Sequence, residues 1–235
     1  MTDGTLLGID GCKGGWVVAR SDLALSTIGF EIVPMLAIGP LLSRAEAACI
    51  DIPIGLSDDG PRLADEAARR LLGSPRAASV FPAPCRPTLA AQTYAGACEL
   101  NRAASGKAVT IYLFNILDRI RAVDDLMTPD LQRRVRECHP EVSFAMLGGT
   151  GRGLARPKKS AEGEAERLEI LDRWLPRFDL AGVRKTLGNG LVARDDILDA
   201  AACLVSAQRA HRRIAMVLPP QPPKDQRGLR MEIVA

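Results

Sequence analysis

The stretch 5–19, TLLGIDGCKGGWVVA, decides the fold expected for this chain of 235 residues. It is apolar up to Asp10, passes through the Gly-rich link 11–15, and is apolar again over 16–19. Two apolar runs joined by a short Gly-rich turn are typical of a β-hairpin. The stretch therefore predicts two neighbouring antiparallel strands at the start of a sheet.

The run 48–52, ACIDI, predicts a strand that returns to this hairpin. Before it, 27–33 is expected to be a third strand, and 35–47 a short helix interrupted by a Gly-Pro pair. A strand that follows a helix commonly crosses back in parallel to its neighbour. The opening of the chain therefore predicts three antiparallel strands, a helix, and a strand parallel to 5–10.

The rest of the chain alternates amphipathic and apolar segments. We expect helices at 61–72, 89–104, 111–127, 160–175 and 195–212, and strands at 134–146, 214–218 and 229–234. The first of these helices is predicted to turn Leu63, Ala67, Leu71 and Leu72 inward. The segment 79–87 is too rich in proline for a regular element.

The bulk composition is that of an ordinary globular protein. Hydrophobic residues make up 47% of the chain and charged residues 25%, so the signature of disorder is absent. The net charge of +3 permits a nucleic-acid partner without requiring one. Positive charge is concentrated in one predicted loop that contains Arg152, Arg156, Lys158 and Lys159.

Location is predicted from what the sequence lacks. No stretch approaches the run of about 20 apolar residues that a membrane span needs. Residues 1–4 lack the basic start of a secretory signal. The six cysteines form no C-x-x-C pair, which favours free thiols in a reducing compartment. These features predict a cytoplasmic protein that does not enter membranes.

Two aspartates in apolar strands are the central candidates for function. Asp51 lies between Ile50 and Ile52, where an ionised carboxylate is costly unless it is paired or binds a cation. A cap on the turn before Pro53 explains Asp51 equally well, and a hairpin turn explains Asp10. If the two strands are parallel neighbours, however, they lie about 4.8 Å apart, and both carboxylates can share one metal ion.

Three further acids complete the predicted site. Glu141 lies where an otherwise apolar strand is broken by Pro140, although an exposed edge-strand glutamate would look the same. Asp196 fits the first turn of the helix at 195–212, and Asp199 lies on the same helix face. Ligands that offer only oxygen suit Mg²⁺ or Mn²⁺, and such sites cleave phosphodiesters.

Four basic residues are candidates for binding the substrate phosphates. Lys13 lies in the Gly-rich link, where backbone amides could also face a phosphate, and Arg86 could form a bidentate clamp. Lys158 and Lys159 precede a predicted helix. A hairpin turn, packing of the Pro-rich segment and a solvated loop are the respective structural alternatives.

Several motifs together resemble a known family, the domain-of-unknown-function 429 family, whose members are classed as predicted nucleases of the ribonuclease H-like superfamily. The motifs are GIDGCKGGWVVA (8–19), IDIPIGL (50–56), SVFPAPCR (79–86), YAGACELNRAASGK (94–107), RVRECHPEVSFAMLGG (134–149), KKSAEGEAERLEIL (158–171), DDILDAAACL (195–204) and RGLRMEIVA (227–235). The resemblance covers nearly the whole chain.

The resemblance implies a fold. It implies one ribonuclease H-like α/β domain over 1–235, with a mixed sheet of three antiparallel strands followed by parallel strands, flanked by helices. The sequence departs from the simple pattern by a helical insertion at about 58–133. That insertion is expected to narrow the site and to exclude duplex substrates.

The resemblance also implies a site and an activity. Asp10 matches the aspartate that the superfamily places on its first strand, and Asp51 matches the acid of the fourth strand. Asp196 and Asp199 resemble the paired aspartates of junction resolvases, and Glu141 falls on the expected fifth strand.

The activity expected from these acids is that of a metal-dependent nuclease or phosphodiesterase. Asp10, Asp51 and Asp199 would bind Mg²⁺ or Mn²⁺, and the substrate would be a nucleic acid or nucleotide. The alternative is a non-catalytic module that binds nucleic acid or acts as an adaptor on the same fold.

Overall fold

The computed structural model describes residues 4–188 and 190–235. Residues 1–3, on which part of the prediction about a secretory signal rests, lie outside the described residues. A mixed five-stranded sheet contains β1 (Leu6–Cys12), β2 (Gly15–Ser21), β3 (Ile28–Val33), β4 (Ala47–Ile50) and β5 (Val135–Glu137) in the order β3-β2-β1-β4-β5. β1 to β3 pair antiparallel, and β4 and β5 extend the sheet in parallel. The predicted opening of three antiparallel strands, a helix and a parallel strand is confirmed.

The β1–β2 hairpin is tighter than its Gly-rich sequence suggests. Cys12 pairs with Gly15, so only Lys13 and Gly14 form the turn. Gly15 has φ +122°, and a Cβ there would lie 2.4 Å from the carbonyl oxygen of Val33. A glycine is therefore required where β2 leaves the turn and passes β3.

Nine α-helices, besides four short 3-10 helices, are described along residues 4–188 and 190–235. They are α1 (Gly39–Arg44), α2 (Leu63–Leu72), α3 (Tyr94–Ser105), α4 (Ile111–Asn115), α5 (Leu117–Leu126), α6 (Pro140–Leu147), α7 (Ala161–Asp172), α8 (Leu180–Leu187) and α9 (Arg194–His211). α2 to α5 fill the predicted helical segment between β4 and β5. The helix expected over 111–127 is divided into α4 and α5, and α8 was not predicted.

Two predictions about local structure are wrong. The strand expected over 134–146 ends at Glu137, and a helix begins at Pro140 because proline has the φ of a first helical residue. The residues of this helix are apolar and buried almost all round, so periodicity could not distinguish it from a strand. Leu63, expected to point inward, is exposed because Ala64 and Ala68 form the buried face of α2.

The longest helix, α9, lies directly against the sheet. It packs across β1, β4 and β2. Gly8 of β1 makes this contact possible, because a Cβ there would lie 2.0 Å from the backbone nitrogen of Leu204. Strand residues alternate between faces, so Leu6, Gly8 and Asp10 share the face that α9 covers.

Helices cover both faces of the sheet. Leu7 and Ile9 pack in a core with residues of α1 and α5, and Leu6 packs in a second core with α6, α7 and α9. A separate two-stranded ribbon of β6 (Val217–Leu218) and β7 (Ile233–Val234) lies beside β5. None of the described helices combines the length and the apolar character needed to cross a bilayer.

Candidate functional site

Two aspartates meet where β1 and β4 run side by side. Ile9 is the register partner of Ile50, and the backbone amide of Asp51 donates to the carbonyl oxygen of Ile9 at 2.9 Å. The next residue of each strand is therefore an aspartate, as the parallel pairing predicted. Asp10 Oδ1 accepts a hydrogen bond of 2.7 Å from the backbone nitrogen of Gly11.

A third aspartate reaches the same place from α9. Asp199 lies in the second turn of that helix and is only 3% exposed. The close approach of α9 at Gly8 brings Asp199 over the end of β1, next to Asp10. Three residues far apart in sequence thus line one cavity.

These carboxylates line a cavity of about 470 Å³, which we call the acid cavity. Its wall is formed by Asp10, Asp51, Asp199, Glu141, Lys158, Arg62, Asp65, Glu137, Arg76, Arg119, His139, Phe81 and Leu113, among others. The site is therefore a pocket with many charged side chains at the end of the sheet, between α9 and the helices that follow β4.

Burial raises the pKa of all three aspartates, and the charges of neighbouring acids raise the pKa of Asp10 and of Asp199 further. Burial, followed by the charges of Asp51 and Asp199, raises the pKa of Asp10 well above its usual range. Burial also raises the pKa of Asp51, although His139 and Lys158 oppose the rise. The pKa of Asp199 is raised by burial to about 6, against the attraction of Lys158. Burial is thus the main reason why the protonated forms of these three side chains are favoured.

Lys158 supplies the positive charge closest to the three aspartates. Its Nζ lies 2.8 Å from Asp199 Oδ2 and 3.6 Å from Asp195 Oδ2. Burial lowers the pKa of Lys158, but the charges of Asp199 and Asp10 outweigh burial and raise it. The predicted substrate lysine therefore enters the acid cavity as an internal counter-ion.

Glu141 reaches the acid cavity from a different element than predicted. It lies in the first turn of α6 and not on the fifth strand, because the chain leaves β5 before Pro140. Its Oε1 accepts a 2.6 Å hydrogen bond from Nη2 of the fully buried Arg167. Its Oε2 is buried and accepts no hydrogen bond from any described residue. One oxygen of Glu141 thus remains available inside the protein.

The structure does not bring the other predicted residues into the cavity. Asp196 accepts a hydrogen bond of 2.9 Å from the backbone nitrogen of Ala193, and so caps the start of α9. Lys13 and Lys159 are exposed. Arg86 binds Asp124 and Asp225, outside the lining of the acid cavity. Asp124 and Asp225 therefore occupy the guanidinium that was expected to clamp a phosphate.

Sequence reasoning missed several residues that line the acid cavity. Arg62, Asp65 and Glu137 form a buried ion-pair group in its wall, and Arg119 donates to the carbonyl oxygen of Cys12 at 2.6 Å. Glu137 ends the three-residue strand β5, in which Arg136 precedes it, so no apolar run marked it as one marked Asp51. Arg119 lies on α5, where nothing in the periodicity distinguishes it from a surface arginine.

The donors of the acid cavity fit a hard divalent cation in type and in charge. Within the described parts of the chain, no three His, Cys, Asp or Glu side chains are arranged as a formed metal site. Asp10, Asp51 and Asp199 nevertheless offer only oxygen, as Mg²⁺ and Mn²⁺ prefer. The free Oε2 of Glu141 adds an oxygen whose hydrogen bonding is incomplete. Asp199 Oδ2 contacts Lys158, so a cation that takes this oxygen has to displace the ammonium.

Comparison with known proteins gives a family and no activity. A family model described as a protein of unknown function (DUF429) matches residues 8–224. No curated protein and no solved structure matches the chain. What the protein does must therefore be inferred from the chemistry of the acid cavity.

Proposed function

This chain belongs to the DUF429 family of proteins of unknown function, and from that premise we propose that it is a metal-dependent phosphodiesterase acting on nucleic acid. One observation carries the proposal. Asp10, Asp51 and Asp199 line one cavity, where burial raises the pKa of each and the charges of neighbouring acids raise the pKa of Asp10 and of Asp199 further. Such clustered, destabilised acids are typical of functional sites.

The fold we propose for this function is ribonuclease H-like. The sheet order β3-β2-β1-β4-β5 supports it, as does the change from antiparallel to parallel pairing after β3. The positions of the acids support it as well, because Asp10 is on the first strand, Asp51 follows the fourth, and Asp199 is on the long helix that covers them.

The residues of the acid cavity have separable roles in this proposal. Asp10, Asp51 and Asp199 hold Mg²⁺ or Mn²⁺. When bound, the divalent cation supplies an activated water and stabilises the leaving oxygen of the phosphodiester. The free Oε2 of Glu141 accepts a hydrogen bond from a water molecule in the cavity and orients it. Lys158, once released from Asp199, pairs with a substrate phosphate.

Exposed positive charge near the cavity fits an anionic polymer. Arg152, Arg156 and Lys159 are exposed in the loop that carries Lys158, and Lys13 is exposed in the β1–β2 turn. Lysine and arginine side chains on phosphates provide attraction that does not depend on sequence. With six free cysteines, the chain also suits a reducing cytoplasm, which we propose as its location.

The proposal is tested by metal titration with purified protein. Wild type and Asp51→Asn are incubated with labelled single-stranded, duplex and branched DNA and RNA, each with Mg²⁺, Mn²⁺ or EDTA. We expect cleavage by wild type that requires the metal, and its loss in Asp51→Asn, because the amide keeps the shape of the side chain and removes its charge.

Asp59→Asn is the matched control, since Asp59 is an exposed aspartate a few residues along the same segment. It is expected to cleave as wild type does. Cleavage that persists unchanged in Asp51→Asn, or that needs no metal, contradicts the proposal.

One observation favours a second candidate, a non-catalytic nucleic-acid-binding or adaptor module. The contact between Lys158 and Asp199 neutralises one acid of the cavity from within the chain. If this contact persists in solution, the fold retains the acids without using them to bind metal. Binding of nucleic acid with no cleavage under any metal in the titration above supports this module.

A further inference from the structure

A second pocket adjoins the acid cavity on the side of the helices that follow β4. Its volume is about 240 Å³, and it shares two wall residues, Phe81 and Leu113, with the acid cavity. The rest of its wall is mainly apolar and includes Pro61, Pro82, Ala83 and Val109. The two compartments are therefore neighbours that differ in charge, because several acids line the first, whereas the charged residue that lines the second is Lys107.

Phe81 lies between the two compartments, and hydrogen bonds to the residues before and after it fix its backbone. Val80 before it is buried, and its carbonyl oxygen accepts a hydrogen bond of 2.8 Å from Arg69. Two residues after it, the backbone nitrogen of Ala83 donates to Asp65 Oδ2 at 2.8 Å. The segment is fixed while the ring itself remains 51% exposed.

A second aromatic ring supports Phe81. Tyr112 stacks on it with a centroid distance of 6.2 Å and an interplanar angle of 27°, and is itself 68% exposed. The chain has only nine aromatic residues, 5 Phe, 2 Tyr and 2 Trp. Two of them are thus exposed together at the rim of a polar cavity. Exposed apolar area of this kind at the edge of a pocket is typical of a ligand contact.

The two compartments together match one nucleotide unit. A flat ring enters the apolar pocket and stacks on Phe81, and the phosphate attached to its sugar lies on the other side of Phe81, in the acid cavity. The polar groups of the pocket wall, Asn101, Ser105 and Thr110, already make hydrogen bonds within the chain, so the ring is bound by stacking and apolar contact, which every base offers. A base that is paired and stacked in a duplex cannot enter a pocket of this size.

We propose that the pocket behind Phe81 binds one unpaired nucleobase, so that the protein acts on single-stranded or locally unpaired nucleic acid. The inference rests on the proposed function and deepens it by naming the substrate class. Phe81 is the residue that contacts the base, and Tyr112 is a positioning residue that acts through the ring of Phe81.

The test follows base stacking directly, without cleavage. Single-stranded oligonucleotides containing 2-aminopurine, as DNA and as RNA, are titrated with the full chain at low ionic strength, with Ca²⁺ in place of Mg²⁺ and Mn²⁺ so that a divalent cation is present among the carboxylates. Stacking on Phe81 is expected to change the fluorescence of the probe. The Phe81→Ala variant is expected to bind at least about fivefold more weakly and to lose the fluorescence change.

Three further proteins make the test specific. Phe81→Trp keeps an aromatic face and is expected to retain binding, and Tyr112→Ala is expected to weaken it less than Phe81→Ala does. Leu36→Ala is the matched control, because Leu36 is an exposed apolar residue on another part of the surface. A circular dichroism spectrum for each variant shows whether it is folded.

The outcomes separate this inference from the proposed function. Equal binding by wild type and folded Phe81→Ala overturns the inference, and so does equally strong competition by duplex or a wild type that does not bind. If Phe81-dependent binding is found but no metal-dependent cleavage, the base pocket stands and the proposed function fails. If cleavage depends on Asp51 but is the same in Phe81→Ala and for single-stranded and duplex substrates, the proposed function stands and the base pocket fails.

Discussion

Two sets of buried acidic residues share the wall of the acid cavity, and they differ in how many hydrogen bonds and opposite charges they receive. Glu137 receives hydrogen bonds of 2.8 and 2.6 Å from Arg62 and a third of 2.7 Å from the backbone of Ile54. Asp65 binds the same guanidinium at 2.6 Å. Asp10, equally enclosed, accepts one backbone hydrogen bond of 2.7 Å. We refer to Arg62, Asp65 and Glu137 as the Arg62 group.

The difference distinguishes acids that build the structure from acids kept for a ligand. Burial raises the pKa of both Glu137 and Asp10. At Glu137 the charge and hydrogen bonds of Arg62 oppose the rise, whereas at Asp10 the charges of Asp51 and Asp199 add to it. A folded protein that leaves such repulsion in place gains a site for a cation, at a cost in stability.

The largest effect is expected from breaking the Arg62 group. Arg62→Met removes the guanidinium from a fully enclosed site and leaves two buried carboxylates without their partner. Removing one partner of a buried ion pair typically costs about 3–5 kcal/mol. We expect the free energy of unfolding to fall by about this amount in urea titrations.

Arg133→Met is the control for this loss, since Arg133 forms an exposed ion pair of 3.6 Å with Asp130. It is expected to change the free energy of unfolding by less than about 0.5 kcal/mol. If Arg62→Met and Arg133→Met are equally stable, the ion pairs of Arg62 with Asp65 and Glu137 do not stabilise the fold.

A smaller loss in the free energy of unfolding is expected from a substitution where the backbones of β1 and α9 pack together. Gly8→Ala places a Cβ 2.0 Å from the nitrogen of Leu204, so α9 must move away from β1. Overpacking of this kind costs about 1–3 kcal/mol. The shift separates Asp199 from Asp10 and leaves the Arg62 group intact, so metal binding is expected to weaken as well, by calorimetric titration with Mn²⁺. Gly190→Ala, where a Cβ meets nothing within 4 Å, should leave both quantities unchanged.

The acid cavity itself is expected to gain stability when it loses a charge. The raised pKa of Asp10 means that its protonated form favours folding, and that this contribution is lost as the pH rises through the folded pKa. Asp10→Asn removes the penalty, so we expect its free energy of unfolding at pH 8 to exceed that of wild type by about 0.5–2 kcal/mol. The gain should disappear below the unfolded pKa of aspartate, where the wild-type side chain is protonated as well.

The pH dependence is measured by urea unfolding at pH 3.5 and pH 8, with Asp130→Asn as the control because the Asp130 side chain is 85% exposed. An Asp10→Asn protein that is less stable than wild type at pH 8 would show that Asp10 is structural, like Glu137. The same variant should lose cleavage, so that activity and stability change in opposite directions.

The sequence predicted the part of this site that lies on regular strands. Asp10 and Asp51 each follow an apolar run, and the hairpin before them fixed their pairing, so their meeting could be inferred from strand order alone. Asp199 could be inferred from its place on a helix of small residues. Local patterns carried this information because sheet register depends on alternation and on the length of the connections.

The site residues that were placed wrongly depend on contacts between segments far apart in sequence, which no local pattern encodes. Glu141 was assigned to a strand because a buried run of apolar residues looks alike in a strand and in a helix. Arg86 was assigned to substrate because its partners, Asp124 and Asp225, are 38 and 139 residues away in sequence. Whether a buried charge is already paired is a tertiary fact.

The smallest change in the free energy of unfolding is expected at Lys158, whose contact with Asp199 can be compared directly with that of Arg62 with Glu137. Lys158 is the counter-ion of Asp199, as Arg62 is of Glu137. It contacts Asp199 through a single hydrogen bond, however, and its own side chain is 37% exposed. Its removal in Lys158→Met is therefore expected to lower the free energy of unfolding by at most about 1 kcal/mol without metal. Because Mn²⁺ no longer has to displace the ammonium, its dissociation constant should fall by up to about fivefold, which is what 1 kcal/mol is worth.

Calorimetric titration with Mn²⁺ measures this change independently of any cleavage, and the metal-induced rise in Tm should be correspondingly larger in Lys158→Met. Lys159→Met is the matched control, because Lys159 is the exposed neighbour of Lys158. Weaker Mn²⁺ binding by Lys158→Met than by Lys159→Met would mean that the ammonium supports the metal site instead of occupying it. The acid cavity would then resemble the Arg62 group, with its charges settled by the fold and not left for a ligand.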